Sequence, residues 1–400
     1  MSSDMAELIR DTDAMPEGWR TAPFSALADY VNGRAFKPED WGTEGLPIIR
    51  IAQITNPDAE TNFYDGAVDP RNLIDDDDLI FSWSATLAVM RWRKGPAVLN
   101  QHLFKVTPAE GIHRDWLQFR LEASIPDLAD EAHGTTMKHI RKGTLSSQST
   151  IVPPLHEQRR IAEVLRSVDE AIAAQSALCL HVRQTADDLA DELYGREIAD
   201  SGENLVAYGD ACETVQVGIV IKPASYYVDA GGVPALRSTN IKRNEIDFSA
   251  LVQLSSEGHQ VNRKSALRAG DVVTIRTGEP GKTAVIPLDA PSPLNCIDII
   301  FSRPKPELRP YFASYFINSG TARRQIGAMQ GGLAQQHFNV GEMKKLKLPV
   351  PTLARQDRVI AVLDAAWQAV QVEEAQLATL QSTKTALMSD LLSGRVRVPA

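Results

Sequence analysis

Val152-Pro153-Pro154-Leu155-His156-Glu157-Gln158-Arg159-Arg160-Ile161-Ala162 is written a second time, in looser spelling, as Val350-Pro351-Thr352-Leu353-Ala354-Arg355-Gln356-Asp357-Arg358-Val359-Ile360. Working outward from this pair, the resemblance continues upstream. Pro47-Ile48-Ile49-Arg50-Ile51-Ala52-Gln53-Ile54 matches Pro234-Ala235-Leu236-Arg237-Ser238-Thr239-Asn240-Ile241, and Lys37-Pro38 has a counterpart in Lys222-Pro223. Leu99-Asn100 answers Leu294-Asn295, Arg114 answers Arg309, Ser124 answers Ser319 and His139 answers His337. The separation drifts only from 185 to 198 residues, as insertions in surface loops produce. Any one match could be chance, but an ordered series is duplication.

Each copy has two parts. The first mixes strand-like runs with turn signals: Asp78-Leu79-Ile80-Phe81 and Gly270-Asp271-Val272-Val273-Thr274-Ile275 are rich in β-branched or aromatic residues and read as buried strands. Trp116-Leu117-Gln118-Phe119 and Tyr311-Phe312-Ala313-Ser314 read as helix starts behind Arg114-Asp115 and Arg309-Pro310. These features predict α/β (mixed α+β) domains, two in tandem. The second part of each copy is one long helix. After Pro153-Pro154 the apolar positions Ile161, Val164, Leu165, Val168, Ile172, Leu178, Val182, Leu189 and Leu193 keep largely to one face, with no Pro or Gly before Gly195. After Pro351 the same holds for Val359, Val362, Leu363, Ala366, Val370, Leu377, Leu380, Leu387 and Leu391 up to Gly394. Each helix should run about 40 residues, or about 60 Å. An isolated stripe would be exposed, so the two helices are expected to pair as an antiparallel coiled coil. The alternative is two separate helices, each capping its own domain. The boundaries expected are 1–152 and 199–350 for the tandem domains, with 153–198 and 351–400 for the helices.

Composition narrows the class. The chain has 400 residues, 43% hydrophobic and 23% charged, which is ordinary for two or three globular domains. Its apolar runs are too short to span a membrane, and Met1-Ser2-Ser3-Asp4 carries no secretory signal pattern. Cys179, Cys212 and Cys296 are scattered and odd in number, which argues against a disulfide framework and fits a reducing cytoplasm. A net charge of −9 looks wrong for a nucleic-acid partner, but it is unevenly spread. Residues 1–152 hold 15 Lys+Arg against 23 Asp+Glu, whereas residues 201–350 hold 17 against 13. Only the latter block has the basic balance of a DNA reader.

Over essentially its whole length the chain resembles the specificity subunits of type I restriction–modification systems. Besides the two helix starts, the resemblance rests on Pro16-Glu17-Gly18-Trp19 and on Ala386-Leu387-Met388-Ser389-Asp390-Leu391-Leu392-Ser393-Gly394-Arg395-Val396-Arg397-Val398. The second helix start departs from the first by carrying Arg355 where the first carries Glu157. The resemblance implies that each recognition domain reads one half of a gapped DNA target and that the helices space the two. It also implies docking of two copies of an adenine methyltransferase subunit, which would hold the S-adenosylmethionine, with ATP-dependent restriction subunits joining in some assemblies. This chain itself would bind no cofactor and do no catalysis. Leu155, Ile161, Val164, Leu353, Val359 and Val362 are the docking residues expected on that basis.

Residue chemistry nominates three pairs of DNA-contact segments. Arg237, Ser238, Asn240 and Lys242 fall in one short segment, answered in the first copy by Arg50 and Gln53. Arg bonds guanine bidentately, Asn or Gln bonds adenine, and Lys meets phosphate. Lys138 and His139 follow Gly134, and Gln335 and His337 follow Gly331-Gly332, where glycine allows close backbone approach. Gly278-Glu279-Pro280-Gly281-Lys282-Thr283 invites a phosphate-loop reading, but Arg276 stands where that loop needs its first glycine. A strand, Ala284-Val285-Ile286, should follow instead of a helix, so the preferred reading is a turn carrying Arg276 and Lys282 to DNA. A merely structural hairpin is the alternative. The acidic run Asp75 to Asp78 reads as a solvated turn. No Gly-x-Ser-x-Gly elbow, zinc-protease helix or paired adenine-flipping motif is present, since Val152 precedes Pro153-Pro154 and Leu155 follows. The competing functions are a coiled-coil adaptor without DNA contacts and a nucleotide-dependent enzyme.

Overall fold

The computed structural model describes residues 15–56, 59–84, 86–131, 142–202, 204–330 and 337–398. It divides into two compact units, residues 1–174 with 377–400, and residues 175–376. Both long helices contribute to both units, so they are not domains apart from the recognition domains.

In the first unit, β1 (Arg20–Pro23) pairs antiparallel with a strand more than a hundred residues away, Ser149–Val152. Between them lie β2 (Ala28–Asn32), β3 (Leu46–Ile49), α1 (Ile51–Thr55), β4 (Phe63–Tyr64), β5 (Leu73–Ile74), β6 (Leu79–Ser82), β7 (Ala88–Arg91), β8 (Ala97–Leu99) and β9 (Leu103–Pro108). Then come α2 (Arg114–Glu131), α3 (Lys142–Ser147) and β10, the Ser149–Val152 strand. They form an antiparallel sheet β2-β9-β6-β7 and a mixed sheet β4-β3-β8-β5, in which β3 and β8 run parallel. All four residues of β6 are buried: Leu79, Ile80 and Phe81 by their apolar side chains, and Ser82 with its hydroxyl donating to the Thr86 carbonyl. The core gathers Phe81, Phe104, Trp116, Leu117 and Leu121 with Ile161 and Leu165. It is closed from the other end of the chain by Leu391 and Leu392. A fully buried leucine such as Leu165 contributes about 1.5–3 kcal/mol of transfer free energy.

The second unit repeats the plan. Its strands are β11 (Val206–Ala207), β12 (Cys212–Val217), β13 (Tyr227–Val228), β14 (Val233–Leu236), β15 (Ile241–Lys242), β16 (Glu245–Ile246), β17 (Val252–Leu254), β18 (Val272–Ile275), β19 (Thr283–Val285), β20 (Asn295–Cys296), β21 (Ile299–Pro304) and β22 (Lys347–Leu348). The antiparallel sheet β12-β21-β18-β19 answers β2-β9-β6-β7. In the mixed sheet β13-β17-β14-β20, the parallel pair β14–β20 answers β3–β8. β11 and β22 close the unit as β1 and β10 do.

The long helices are α4 (Leu155–Ser201, 47 residues) and, in the second copy, Leu353–Ser393 (41 residues). Between them, α5 (Ser256–Val261), α6 (Pro310–Asn318), α7 (Gly320–Gln330) and α8 (Val340–Lys345) belong to the second recognition domain, so the last helix is α9. Gly195 does not end α4, which runs on to Ser201, three residues past the expected boundary at 198. Tyr194 packs between Phe312 and Phe316 and donates its hydroxyl proton to the Phe312 carbonyl at 2.7 Å. That anchoring outweighs the ~1 kcal/mol cost of a helical glycine. Gly394 does end α9, at φ +74, a left-handed conformation that glycine adopts without strain.

A buried glutamine locks each helix start. The Gln158 side chain accepts from the His113 N–H at 2.7 Å and donates to the Pro153 and Gly111 carbonyls at 2.9 and 3.1 Å. Gln356 does the same, accepting from the Arg309 N–H and donating to the Glu307 and Pro351 carbonyls, each at 2.8 Å. One amide thus satisfies three backbone groups where sheet, helix and linker meet. Within each unit the helices run antiparallel. In the first, Asp169 meets Lys384 at 2.7 Å. In the second, Gln175 donates to the Glu373 carboxylate at 2.6 Å while Glu197 meets Arg355 at 3.0 Å.

Candidate nucleic-acid interface and docking surface

The segment that sequence chemistry singled out is one local device built in both units. β3 ends at Ile49, and Arg50 follows in extended conformation, φ −119 and ψ 177. Its N–H donates to the Gln53 side chain at 3.0 Å, and the Gln53 amide donates to the Glu60 carbonyl at 2.7 Å. β14 ends at Leu236, and Arg237 follows at φ −121 and ψ 171. Its N–H donates to the Asn240 side chain at 2.9 Å, and the Asn240 amide donates to the Asp247 and Ala250 carbonyls at 3.2 and 3.3 Å. Each amide therefore braces a turn from inside. Gln53 and Asn240, expected at the DNA, are instead buried, Asn240 to 3% exposure, with their polar atoms spent on backbone.

That bracing fixes the arginines. The Arg50 guanidinium lies 4.5 Å from the ring centre of the exposed Trp41, and its Nη2 is buried without a hydrogen-bond partner. Nε of Arg237 is likewise buried and unpartnered. A buried unsatisfied donor costs about 1–3 kcal/mol, so both arginines carry unused hydrogen-bonding capacity. Ser238 opens the short turn after Arg237, and Lys242 is exposed, its ammonium 3.7 and 3.8 Å from Glu245 and Asp247.

The Gly278–Lys282 turn is a β-hairpin between antiparallel β18 and β19, with strand rather than helix on its far side, as expected. Arg276 pairs with Asp298 at 2.6 Å and Lys282 with Glu279 at 2.5 Å. His337 joins them: its Nδ1 lies 3.1 Å from the Thr277 hydroxyl, and the neighbouring Phe338 N–H donates to the Arg276 carbonyl at 2.9 Å. Asn318, at the end of α6, binds this hairpin to the arginine segment. It accepts from the Thr283 N–H at 3.1 Å and donates to the Thr283 carbonyl at 2.8 Å and to the Asn244 side chain at 2.6 Å. Asn244 sits at φ +61 in the tight turn between β15 and β16. Sequence reading passed over Asn318, because nothing local marks an Asn at a helix end as a strut between two loops. Arg237, Lys242, Arg276, Lys282 and His337 thus belong to connected segments of one unit. Lys138, His139 and Gln335 lie outside the described residues.

The expected docking residues divide by helix face. Ile161 and Val359 point into the cores of their own units, at 1% and 5% exposure, so a partner would meet little of either. The stripe is wide because its central line serves the recognition domain beneath it. Val164 is half-buried, Val362 is 44% exposed, Leu353 is exposed and Leu155 half-buried. Two matching grooves flank these positions. One, of about 390 Å³, is lined by Arg160, Glu163, Val164, Ser167 and Val398. The other, of about 420 Å³, is lined chiefly by Arg355, Arg358, Val359 and Val362 with Glu197 and Asp200. Arg160 and Arg358, like Val164 and Val362, are counterparts in the repeat.

Residues 16–178 match the family of the type I restriction modification DNA specificity domain. The type I restriction enzyme EcoBI specificity subunit of Escherichia coli is 22% identical over 86% of this chain and 78% of its own length. The MjaVIII specificity subunit of Methanocaldococcus jannaschii is 19% identical over 96% of this chain and 94% of its own. Among solved structures, the S subunit of a type I restriction–modification system from M. genitalium shares the fold, with a TM-score of 0.53. It is 15% identical, and the match covers 96% of this chain and 98% of that one. No helix among the described residues is long and apolar enough to cross a membrane.

Proposed function

We propose that this chain, similar along most of its length to type I restriction enzyme specificity subunits, is such a subunit and that its two recognition domains each read one half of a gapped duplex target. The observation that carries this reading is the arginine turn built twice. In both units a parallel-paired strand delivers an arginine whose backbone is clamped by an internal amide. Preorganised Arg is suited to the O6/N7 edge of guanine in the major groove. In the same unit as Arg237, the exposed Lys242 and the hairpin cations Arg276 and Lys282 are held by nearby carboxylates. Phosphates would compete for those cations, which positions the duplex without reading it. Ser238 and His337 complete the polar surface of that unit.

The two grooves beside Val164 and Val362 are the docking places for two methyltransferase subunits, one per groove, and Leu155 and Leu353, the first residues of the same two helices, belong to the same docking reading. The methylation chemistry and its S-adenosylmethionine belong to those partners, and ATP-dependent restriction subunits would join the assembled complex. The paired α4 and α9 set the number of unread base pairs between the half-sites. The test is to co-express the chain with a methyltransferase subunit of a type I system and map methylated adenines genome-wide. A single motif of two short unlike half-sites around a fixed gap is expected. Methylation independent of this chain, or an ungapped motif, refutes the reading.

A further inference from the structure

The helix starts carry opposite charges, and each finds its opposite. In the first unit the carboxylate of Glu157, 5% exposed, accepts from the Trp19 indole at 3.2 Å and is clasped by Arg397 at 2.5 and 2.9 Å. In the second unit the counterpart of Glu157 is Arg355, which pairs with Glu197 at 3.0 Å and Asp200 at 2.5 Å. Glu157 and Glu197 both belong to the first half of the sequence, whereas Arg355 and Arg397 both belong to the second. The same asymmetry recurs along the helices. Lys384 reaches Asp169 at 2.7 Å and Glu122 at 3.7 Å in the first unit. Their repeat counterparts in the second unit are apolar: Ala186 answers Lys384, Trp367 answers Asp169 and Ile317 answers Glu122, all three buried in one core. Gln175 and Glu373, themselves counterparts, bond to each other, and Arg183 pairs with Glu374.

We propose that these positions are a pairing code by which the helix of residues 1–202 accepts the helix of residues 204–400 and rejects a second copy of itself. Self-pairing of the first half would set Glu157 against Glu197 and Asp200, and leave Asp169 and Glu122 facing Ala186. Self-pairing of the second would set Arg355 against Arg397, Glu373 against Glu373, and Lys384 against Trp367. Glu157 and Glu197 are buried, where like charges cannot be screened, so self-pairing of the first half is strongly disfavoured, while self-pairing of the second takes from Arg355 and Arg397 the carboxylates they clasp. Between separate chains, the code directs any exchange of halves to a first half meeting a second half. On the DNA reading above, every assembled particle would then carry one of each recognition domain. The code itself stands on the contacts and not on that reading.

The test begins with the intact chain. Arg355→Glu should lower the Tm more than Arg355→Ala, because it adds repulsion to a lost contact. Adding Glu197→Arg and Asp200→Arg to Arg355→Glu should recover most of the loss. If Arg355→Glu and Arg355→Ala unfold alike, the charges do not discriminate and the proposal fails. Selectivity is then read on the complete protein carrying a specific protease site in place of Glu203. After cleavage, unfolding in urea and refolding by dilution, native mass spectrometry should find mixed pairs exceeding either self-pair by at least about tenfold. Glu197→Arg with Asp200→Arg should raise the share of first-half self-pairs severalfold. Self-pairs at their statistical share overturn the code. Should the cleaved halves not refold, the comparison of Arg355→Glu with Arg355→Ala decides alone.

Discussion

Gln356→Leu tests the architecture at its tightest joint. The side chain is wholly buried and makes three hydrogen bonds of 2.8 Å, to the Arg309 N–H and the Glu307 and Pro351 carbonyls. Leucine is close in volume, so the substitution removes hydrogen bonds while opening little space. A net loss of about 1 kcal/mol per bond gives about 3 kcal/mol, and groups left unsatisfied push the figure up. The apolar side chain gives part of this back, leaving a cost of roughly 2–4 kcal/mol. For a unit of this size each kcal/mol moves the Tm by about 2–4 °C, so scanning calorimetry should show a fall of about 4–16 °C. Gln356→Glu keeps the acceptor, loses both donors and buries a charge, so it should do at least as much harm. Gln158→Leu should act likewise on the first unit. A shift below about 1 °C in Gln356→Leu would refute the reasoning, because no well-packed group with three buried bonds is that dispensable.

Three further outcomes concern function. Arg237→Ala should cost about 1–3 kcal/mol at one half-site and relax its sequence, whereas Lys242→Ala should weaken all sequences alike and lower the salt slope by about one; wild-type salt titrations for both would turn this segment away from DNA. Val362→Glu, at an exposed position, should reduce methyltransferase capture in a pull-down while leaving the Tm nearly unchanged, and Val164→Glu should reduce capture with some loss of Tm because Val164 also packs against the first core; undiminished capture would remove the grooves as docking places. Four residues added to each helix, beside Gln175 and Glu373, lengthen the pair by about 6 Å with nearly a full helical turn. At about 3.4 Å per base pair the methylated motif should gain one or two unread pairs; retained activity with the original gap would show that the helices do not set it.

How much of this was readable from the chain differs by level. The duplication, the hairpin in place of a phosphate loop, and the helix starts behind Arg114 and Pro310 all followed from local spelling, because strand runs and proline positions are set by short-range sterics. The extent of α4 did not, since Tyr194 holds Gly195 in helix through contacts with α6 that no window around it reveals. The site was half legible. Arg50 and Arg237 stood out by chemistry, but so did Gln53 and Asn240, whose amides serve a turn as well as they would serve adenine. Only the position of the backbone decides between those uses. Ile161 and Val164 share one stripe, yet one faces the core and the other the groove, a distinction finer than apolar periodicity resolves.

The claim that matters most is that two recognition domains act as separate readers. Residues 206–348, from β11 to β22, can be exchanged for those of a relative without touching either helix or either locking glutamine. The chimaera, co-expressed with the methyltransferase subunit and read out as a methylome, should keep one half-site and the gap while the other half-site changes. A motif altered in both halves, or in neither, would contradict the account.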